Sequence, residues 1–327
     1  MPRKEYIFQS SLSPYMNNFL IFREKQGKGI EETRRVLYDL DQFIVKNLCV
    51  DETHIERNII ENWSLSLSAK VSSQSVAAYL SLYKAFAKYL GLQGIKLFIP
   101  EIPIVKTEYE AYVFSEDEIN RIITYSDNQY IGPETIFWAK YSVLLRLLYG
   151  TGMRISEGIN LTTKDLDPKG EYFIVSRAKG NKDRIVVLHP TLRKVIRKYL
   201  ELINDSTYLF SKDGVKPYSI RWAQMMFSMV LDGSGVAEKM PKAKGKKGFN
   251  IHCLRHTFAV HSIRNMIKNG IDVYSEIPIL SIYMGHEDPQ GTEQYLHLAG
   301  EVHLDIEEMM KDYNGGIFPE IEDYEKE

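Results

Sequence analysis

The stretch Met284-Gly285-His286-Glu287-Asp288-Pro289-Gln290-Gly291-Thr292-Glu293-Gln294-Tyr295 sets a tyrosine nine positions after a Gly-His pair. A solitary tyrosine is ordinarily a packing residue, so its meaning rests on what stands upstream. Gly150-Thr151-Gly152-Met153-Arg154-Ile155-Ser156-Glu157 carries an arginine directly after a Gly-x-Gly turn, and His252-Cys253-Leu254-Arg255-His256 carries a second. Both suit a phosphate. Charge builds on the non-bridging oxygens of a phosphodiester under attack, and the planar fork of arginine clamps them better than lysine does. The glycines let the backbone approach such a group closely, and a helix opens at Ile155-Ser156-Glu157. His252 stands three residues before Arg255, so the two share a face on a helix.

The same stretch invites a metal test, because His252 and His256 are four apart. A metalloprotease helix carries Glu directly after its first His, and here Cys253 holds that position. No metal and no cofactor are predicted. Cys49 and Cys253 are the two cysteines of the chain, too few for a disulfide framework, and read as thiols of a reducing cytoplasm. No segment approaches the roughly 20 apolar residues of a membrane span, and no secretory leader is legible behind Met1-Pro2-Arg3-Lys4.

Length and charge add more. The 327 residues predict two domains, and 44% apolar content supplies their cores. A net charge of -2 disfavours a nucleic-acid partner until its distribution is considered. From residue 301 onward ten acids stand against Lys311 and Lys326, so this tail carries -8 and residues 1–300 carry +6. Basic clusters lie at Arg177–Arg184, Arg193–Lys198 and Lys239–Lys247, the kind of surface that phosphate backbones require.

The pattern predicts a mostly α protein with a small β-sheet (α+β). Residues 10–92 read as helical. Val36, Leu37, Leu40, Phe43 and Ile44 share one face over 31–48, and Tyr79, Leu82, Tyr83, Phe86 and Leu90 share another. Ser72 or Ser73 starts the latter helix and Gly91 is its predicted stop. Pro100 and Pro103 break regular structure, which puts a domain boundary within 100–112. Ser115 and Glu118 then form a capping box. Helices are predicted over 135–148 and 191–202. Tyr172–Ser176 and Arg184–Leu188 flank Gly180-Asn181 as a β-hairpin, and 239–248 reads as a loop.

Thr151-Gly152-Met153-Arg154-Ile155-Ser156-Glu157 resembles the first-arginine box of the tyrosine recombinases, also called the phage integrase family. His252-Cys253-Leu254-Arg255-His256-Thr257-Phe258-Ala259 resembles their His-x-x-Arg box, and Met284-Gly285-His286 with Tyr295 resembles the Gly-His box and nucleophile. Ser176-Arg177-Ala178-Lys179-Gly180-Asn181-Lys182-Asp183-Arg184 resembles the family's hairpin. Met284 stands where Leu is common, a swap that cores accept for under about 1.5 kcal/mol.

The resemblance implies a compact two-domain member of Xer type, without a further N-terminal arm-binding domain. Residues 1–106 would be a helical core-binding, DNA-binding domain and 107–327 the catalytic domain with its acidic tail. It implies a site-specific recombinase or integrase that cleaves and rejoins DNA through a 3′-phosphotyrosine. A topoisomerase-like swivelase of type IB and a non-catalytic DNA-binding regulator are the alternatives. Tyr295 would be the nucleophile, Arg154 and Arg255 the phosphate clamp, His252 the proton-transfer aid, and His286 a donor to a phosphate oxygen. Lys179 would be the general acid, with Lys182 as the alternative, and Glu157 would orient its neighbours. Gln74, Lys84, Lys88, Lys182 and Arg184 are candidate DNA contacts. The partners implied are a double-stranded DNA recombination site and further copies of the chain, as a tetramer on DNA and a monomer when free. Leu304, Ile306, Met309 and Met310 give the tail an apolar face that would dock on its own domain or on a neighbouring protomer.

Overall fold

A computed structural model describes residues 6–47, 57–105, 111–129, 135–176, 183–203, 206–239 and 249–286, together with Thr292, Tyr295 and Leu296. The chain divides into two compact units, residues 1–109 and 110–327.

The first unit is helical, with α1 (Ser13–Lys25), α2 (Glu31–Asn47), α3 (Arg57–Ser68) and α4 (Ser73–Gly91). Amphipathic spacing explains its packing. Val36, Leu37, Leu40 and Ile44 of α2 and Tyr79, Tyr83, Phe86 and Leu90 of α4 are buried with Met16, Phe19, Ile60 and Trp63. Ser72 caps α4, its hydroxyl accepting from the Ser75 amide at 3.3 Å. Helix α4 ends at Gly91 as predicted, and beyond it Gly94 takes the left-handed backbone (φ 83°) that lets the Ile95 amide reach Leu90 O at 3.1 Å. Asp41 is fully buried in this core. Its carboxylate accepts from the Gln9 amide at 2.9 Å and from the Ser10 amide and hydroxyl at 2.9 and 2.6 Å, which ties the chain's entry into α1 to α2.

The second unit begins with α5 (Glu116–Asn128), whose capping box forms as predicted. Glu118 N donates to Ser115 Oγ at 3.2 Å and Ser115 N to Glu118 Oε2 at 2.8 Å. There follow α6 (Thr135–Thr151), α7 (Ile155–Ile159), β1 (Tyr172–Val175), β2 (Arg184–Val187), α8 (Pro190–Leu202), α9 (Ile220–Gly233), α10 (Cys253–Lys268) and α11 (Val273–Met284). The strands pair antiparallel, Tyr172 opposite Val187 and Val175 opposite Arg184. Each is one residue shorter than its apolar run suggested. Alternation puts Phe173, Val175 and Val186 inward and leaves Ile174 and Ile185 exposed. The predicted turn at Gly180-Asn181 and the loop over 240–248 lie outside the described residues.

Helix α6 is apolar on most sides because it is surrounded: Tyr141, Leu144, Leu145, Leu147 and Leu148 are buried where α5, α8 and α10 pack on it. A smaller core joins Ala259, Val260 and Ile263 of α10 to Val273, Ile277, Leu280 and Met284 of α11, with Tyr295 against it. Thr257 links this region to the start of the unit, its Oγ1 accepting from the Phe114 amide at 3.0 Å and donating to Cys253 O at 2.8 Å. Among the described residues no helix is long and apolar enough to cross a membrane.

Replacing Asp41 with Ala strands a buried amide and hydroxyl, so the first unit should lose about 3 kcal/mol of stability. Hydrogen exchange of the α2 amides in urea checks this, and an unchanged midpoint would refute the anchoring role.

Candidate active site

The site is built around the C-terminal end of α11. A helix leaves its last four carbonyls without partners inside the helix. Gly285 ends α11 in the left-handed conformation (φ 70°), and the Gly285 and His286 amides turn back to Ile282 O and Ser281 O, each at 3.0 Å. This is the double hydrogen bond of a Schellman turn. The next three carbonyls are taken by three arginines. Arg184 Nε donates to Tyr283 O at 3.0 Å, Arg255 Nη2 to Met284 O at 2.8 Å, and Arg154 Nη2 to Gly285 O at 2.6 Å. The negative end of the helix dipole favours all three cations.

Each arginine arrives from its own segment. Arg154 precedes α7, reached through Gly152 (φ 61°), where a Cβ would lie 2.2 Å from the Phe258 ring. Only glycine fits there. Arg255 projects from the first turn of α10 and also donates to Gly152 O at 2.7 Å, so the two arginine-bearing segments are fastened together. Arg184 opens β2. Glu157 joins two of the cations: its carboxylate receives Arg184 through both Nη atoms at 2.8 and 2.7 Å, and the Arg154 Nη1 and backbone amide at 2.9 and 2.7 Å. Burial raises the Glu157 carboxyl's pKa, but the hydrogen bonds and charge of Arg184, then those of Arg154, outweigh it and hold the group at about 2.

The imidazoles and the phenol form a second group beside the arginines. His252 and His256, one turn apart on α10, meet edge to face with ring centres 4.7 Å apart. His256 is buried, and its Nδ1 lies 3.1 Å from the Tyr295 hydroxyl. His286 stacks with Tyr295 at 6.2 Å between ring centres, and its Nδ1 shares a 2.6 Å hydrogen bond with Thr292 Oγ1. Burial first, then neighbouring cations, lowers all three histidines: His256 through His252 and Arg255 to about 4, His286 through Arg255 and Arg154 to about 4, and His252 through Arg255 and Arg154. Arg255 is itself pulled to about 10 by burial and by Arg154. Tyr295, 1% exposed, is raised by burial, with Arg255 and Arg154 drawing it back down. These groups are ready for an anion and are poor hosts for another cation.

Arg154, His252, Arg255, His286 and Tyr295 thus come together, with Glu157 tying Arg154 to Arg184. Lys179 and Lys182 lie outside the described residues, as do the tail's Leu304, Ile306, Met309 and Met310. Arg184 turns inward: all three of its donor nitrogens face Tyr283 and Glu157, and its side chain is 8% exposed, which suits a wall of the site rather than an outward contact. Gln74 and Lys88 are exposed and Lys84 half-buried on α4 of the first unit. Among the described residues, no group of three or more His, Cys, Asp or Glu could hold a metal ion. Sequence reasoning missed His256 as a neighbour of Tyr295 and Thr292 as the partner of His286. The four-residue spacing of His252 and His256 was the available signal, and it was weighed only against a metal.

The second unit is mostly helical with a small two-stranded sheet, and it gathers arginines, histidines and a buried tyrosine at one helix end, an arrangement suited to a phosphodiester. The family model described as the phage integrase family matches residues 112–301. The chain is 28% identical over 307 residues to the tyrosine recombinase XerA of Pyrococcus horikoshii, covering 90% of this chain and 92% of that one. It is also 28% identical over 257 residues to the tyrosine recombinase XerC of Lactobacillus delbrueckii subsp. bulgaricus, covering 77% and 81%. In fold it is similar to XerH site-specific recombinase bound to palindromic difH substrate in a post-cleavage complex, with a TM-score of 0.64, 17% identity, and 88% and 80% coverage. A lambda integrase dimer bound to a COC′ core site gives a TM-score of 0.61 at 15% identity, with 86% and 94% coverage. The chain belongs to the phage integrase family, the tyrosine-type site-specific recombinases.

Two acid windows follow from the shifts. The pKa of Glu157 in the fold, about 2, lies below its ordinary 4.5, so its contribution to stability is complete above about pH 5 and lost as pH falls toward 2. His256 and His286 sit near 4 instead of 6.5. The unfolded chain takes their protons first, so stability also falls from about pH 6.5 to 4. Glu157→Gln should cost about 3 kcal/mol at neutral pH by breaking a buried pair and remove the lower window. Urea midpoints between pH 2 and 7 check this, and a variant with an unchanged lower window would contradict it.

Proposed function

We propose that this recombinase acts on a double-stranded DNA recombination site through Tyr295, which attacks the scissile phosphate and forms a 3′-phosphotyrosine. One observation carries the reading: the Tyr295 hydroxyl is hydrogen-bonded by His256 and Arg255, and its ring stacks with His286, beside the arginine-filled end of α11. A tyrosine placed only for packing has no need of such neighbours. The XerH structure, a post-cleavage complex on DNA, supports a DNA partner through likeness of fold.

In this reading Arg154 and Arg255 bind the non-bridging oxygens of the phosphate. Both already donate to backbone carbonyls through some of their nitrogens. Their forks are therefore oriented before substrate arrives, which removes reorganisation from the barrier. His286, fixed through Nδ1 by Thr292, offers its other ring nitrogen as a donor to a phosphate oxygen. His252 reaches solvent on one side while the protein around its ring partly desolvates it, and it assists proton transfer there. Lys179 of the hairpin protonates the departing 5′ oxygen, with Lys182 as the alternative. Glu157 remains with Arg154 and Arg184 as an orienting group, since a carboxylate on the phosphate itself would repel it.

The helical first unit, residues 1–106 in this reading, grips the DNA core, with Gln74, Lys84 and Lys88 of α4 as its contacts. A tetramer on paired sites, working in the cytoplasm, completes the reading.

Duplexes selected from random DNA by the Tyr295→Phe protein provide substrate for the test. A nicked version should trap the unaltered chain covalently, and Tyr295→Phe should bind it without any adduct. Binding by both proteins with an adduct from neither would overturn the reading. Lys179→Ala should lose cleavage on ordinary DNA and regain it on a 5′-thiolate leaving group, which needs no acid. Rescue of Lys182→Ala instead would move the role to Lys182.

A further inference from the structure

The roles above give proton transfer to His252, yet the imidazole that meets the attacking phenol is His256. Two groups hydrogen-bond to the Tyr295 hydroxyl, His256 through Nδ1 at 3.1 Å and the Arg255 guanidinium. Arginine stays protonated in proteins and has no acceptor, so of these two only the imidazole can take a proton. The 3.1 Å separation is within the reach required of a general base. His286, the other imidazole beside Tyr295, has its Nδ1 occupied by Thr292.

We propose that His256 is a further catalytic residue, the general base that receives the phenolic proton of Tyr295. This rests on the recombinase reading above. As the bond from Tyr295 Oη to phosphorus forms, the proton passes to His256 Nδ1. The bond from phosphorus to the 5′ oxygen breaks, and that oxygen takes a proton from the acid expected at Lys179. In the joining step each proton returns along the same path.

The surroundings of His256 suit this. On α10 it follows Arg255, whose bonds to Gly152 O and Met284 O hold the first turn of the helix in place. The charged and titratable groups that act on it are His252 and Arg255 of its own helix and His286 beyond α11, with Tyr295 at its Nδ1. Burial and these neighbours keep the imidazole at about 4, so at neutral pH it is uncharged and able to accept a proton. An incoming phosphate brings negative charge among the arginines and makes the imidazole more basic when the proton must move.

The test uses the full chain and the nicked duplex, with adduct formation timed from pH 5.5 to 9. His256→Gln keeps an acceptor for the phenol but cannot hold its proton. It should bind DNA as the unaltered chain does and form adduct about 100-fold more slowly. Its rate should climb with pH where the unaltered chain's levels off. Imidazole added to His256→Gly should restore part of the rate. A His256→Gln protein with the unaltered rate and pH profile would overturn the proposal while leaving the recombinase reading intact. Loss of rate with an unchanged profile and no rescue by imidazole would also overturn it, because that marks a packing role. Failure of the unaltered chain itself to form adduct would instead overturn the recombinase reading, and this proposal with it.

Discussion

Three guanidiniums on one helix end are the constraint on which the catalytic unit depends. Tyr283, Met284 and Gly285 offer carbonyls that no amide of α11 can reach, and Arg184, Arg255 and Arg154 take one each. Hydrogen bonds to charged groups contribute about 1.5–3 kcal/mol apiece. They join the segment before α7, strand β2 and helix α10 to a fourth element. None of these segments is a neighbour of another in sequence, so α11 serves as the common reference that sets their spacing. The αL turn at Gly285 is what exposes the carbonyls, and a Cβ there would lie 2.9 Å from the Arg184 guanidinium.

Convergence of three cations would be costly without an anion, and Glu157 is that anion. It binds two of them in the interior, where losing either partner would leave a buried charge. One carboxylate against three guanidiniums still leaves the region positive. The depressed histidines register the excess: His252, His256 and His286 all sit below their ordinary value, with burial and the arginines as causes in each case. A phosphate relieves the same imbalance that keeps the imidazoles neutral. Affinity for the anion and the basicity of the histidines are therefore linked through one electrostatic field.

Much of this was legible from the sequence, because local rules govern it. Period-3.6 apolar spacing located α2 and α4, Ser115 and Glu118 formed their capping box, and β-rich runs on either side of Gly180-Asn181 marked β1 and β2. The family boxes named residues that the fold then gathers. What stayed hidden depends on how elements cross. Arg184 reads as a surface cation of a basic hairpin, and only the passage of α11 over β2 turns it inward. His256 faces Tyr295 across 39 residues, a contact that no spacing along α10 reveals. Helix α11 was not predicted, and it carries inside it Pro278, a residue that usually breaks a helix. Gly91 ends α4 as read, but that the left-handed turn falls at Gly94 was hidden, since the two glycines look alike in sequence.

The burial of Tyr295 sets the order of events. Removing a phenol from water disfavours its ionised form, so a free tyrosinate does not accumulate in the resting site. Arg255 and Arg154 pull the other way, but burial prevails. In the proposed reaction, attack on phosphorus therefore cannot wait on a preformed anion. The proton has to leave as the new bond forms, when negative charge is already passing from the phenol oxygen into the phosphate. That requires an acceptor within hydrogen-bond distance of the oxygen and cations beside the phosphate, both in place beforehand. On the proposed reading, such an arrangement keeps Tyr295 quiet without substrate and makes its activation a consequence of phosphate binding.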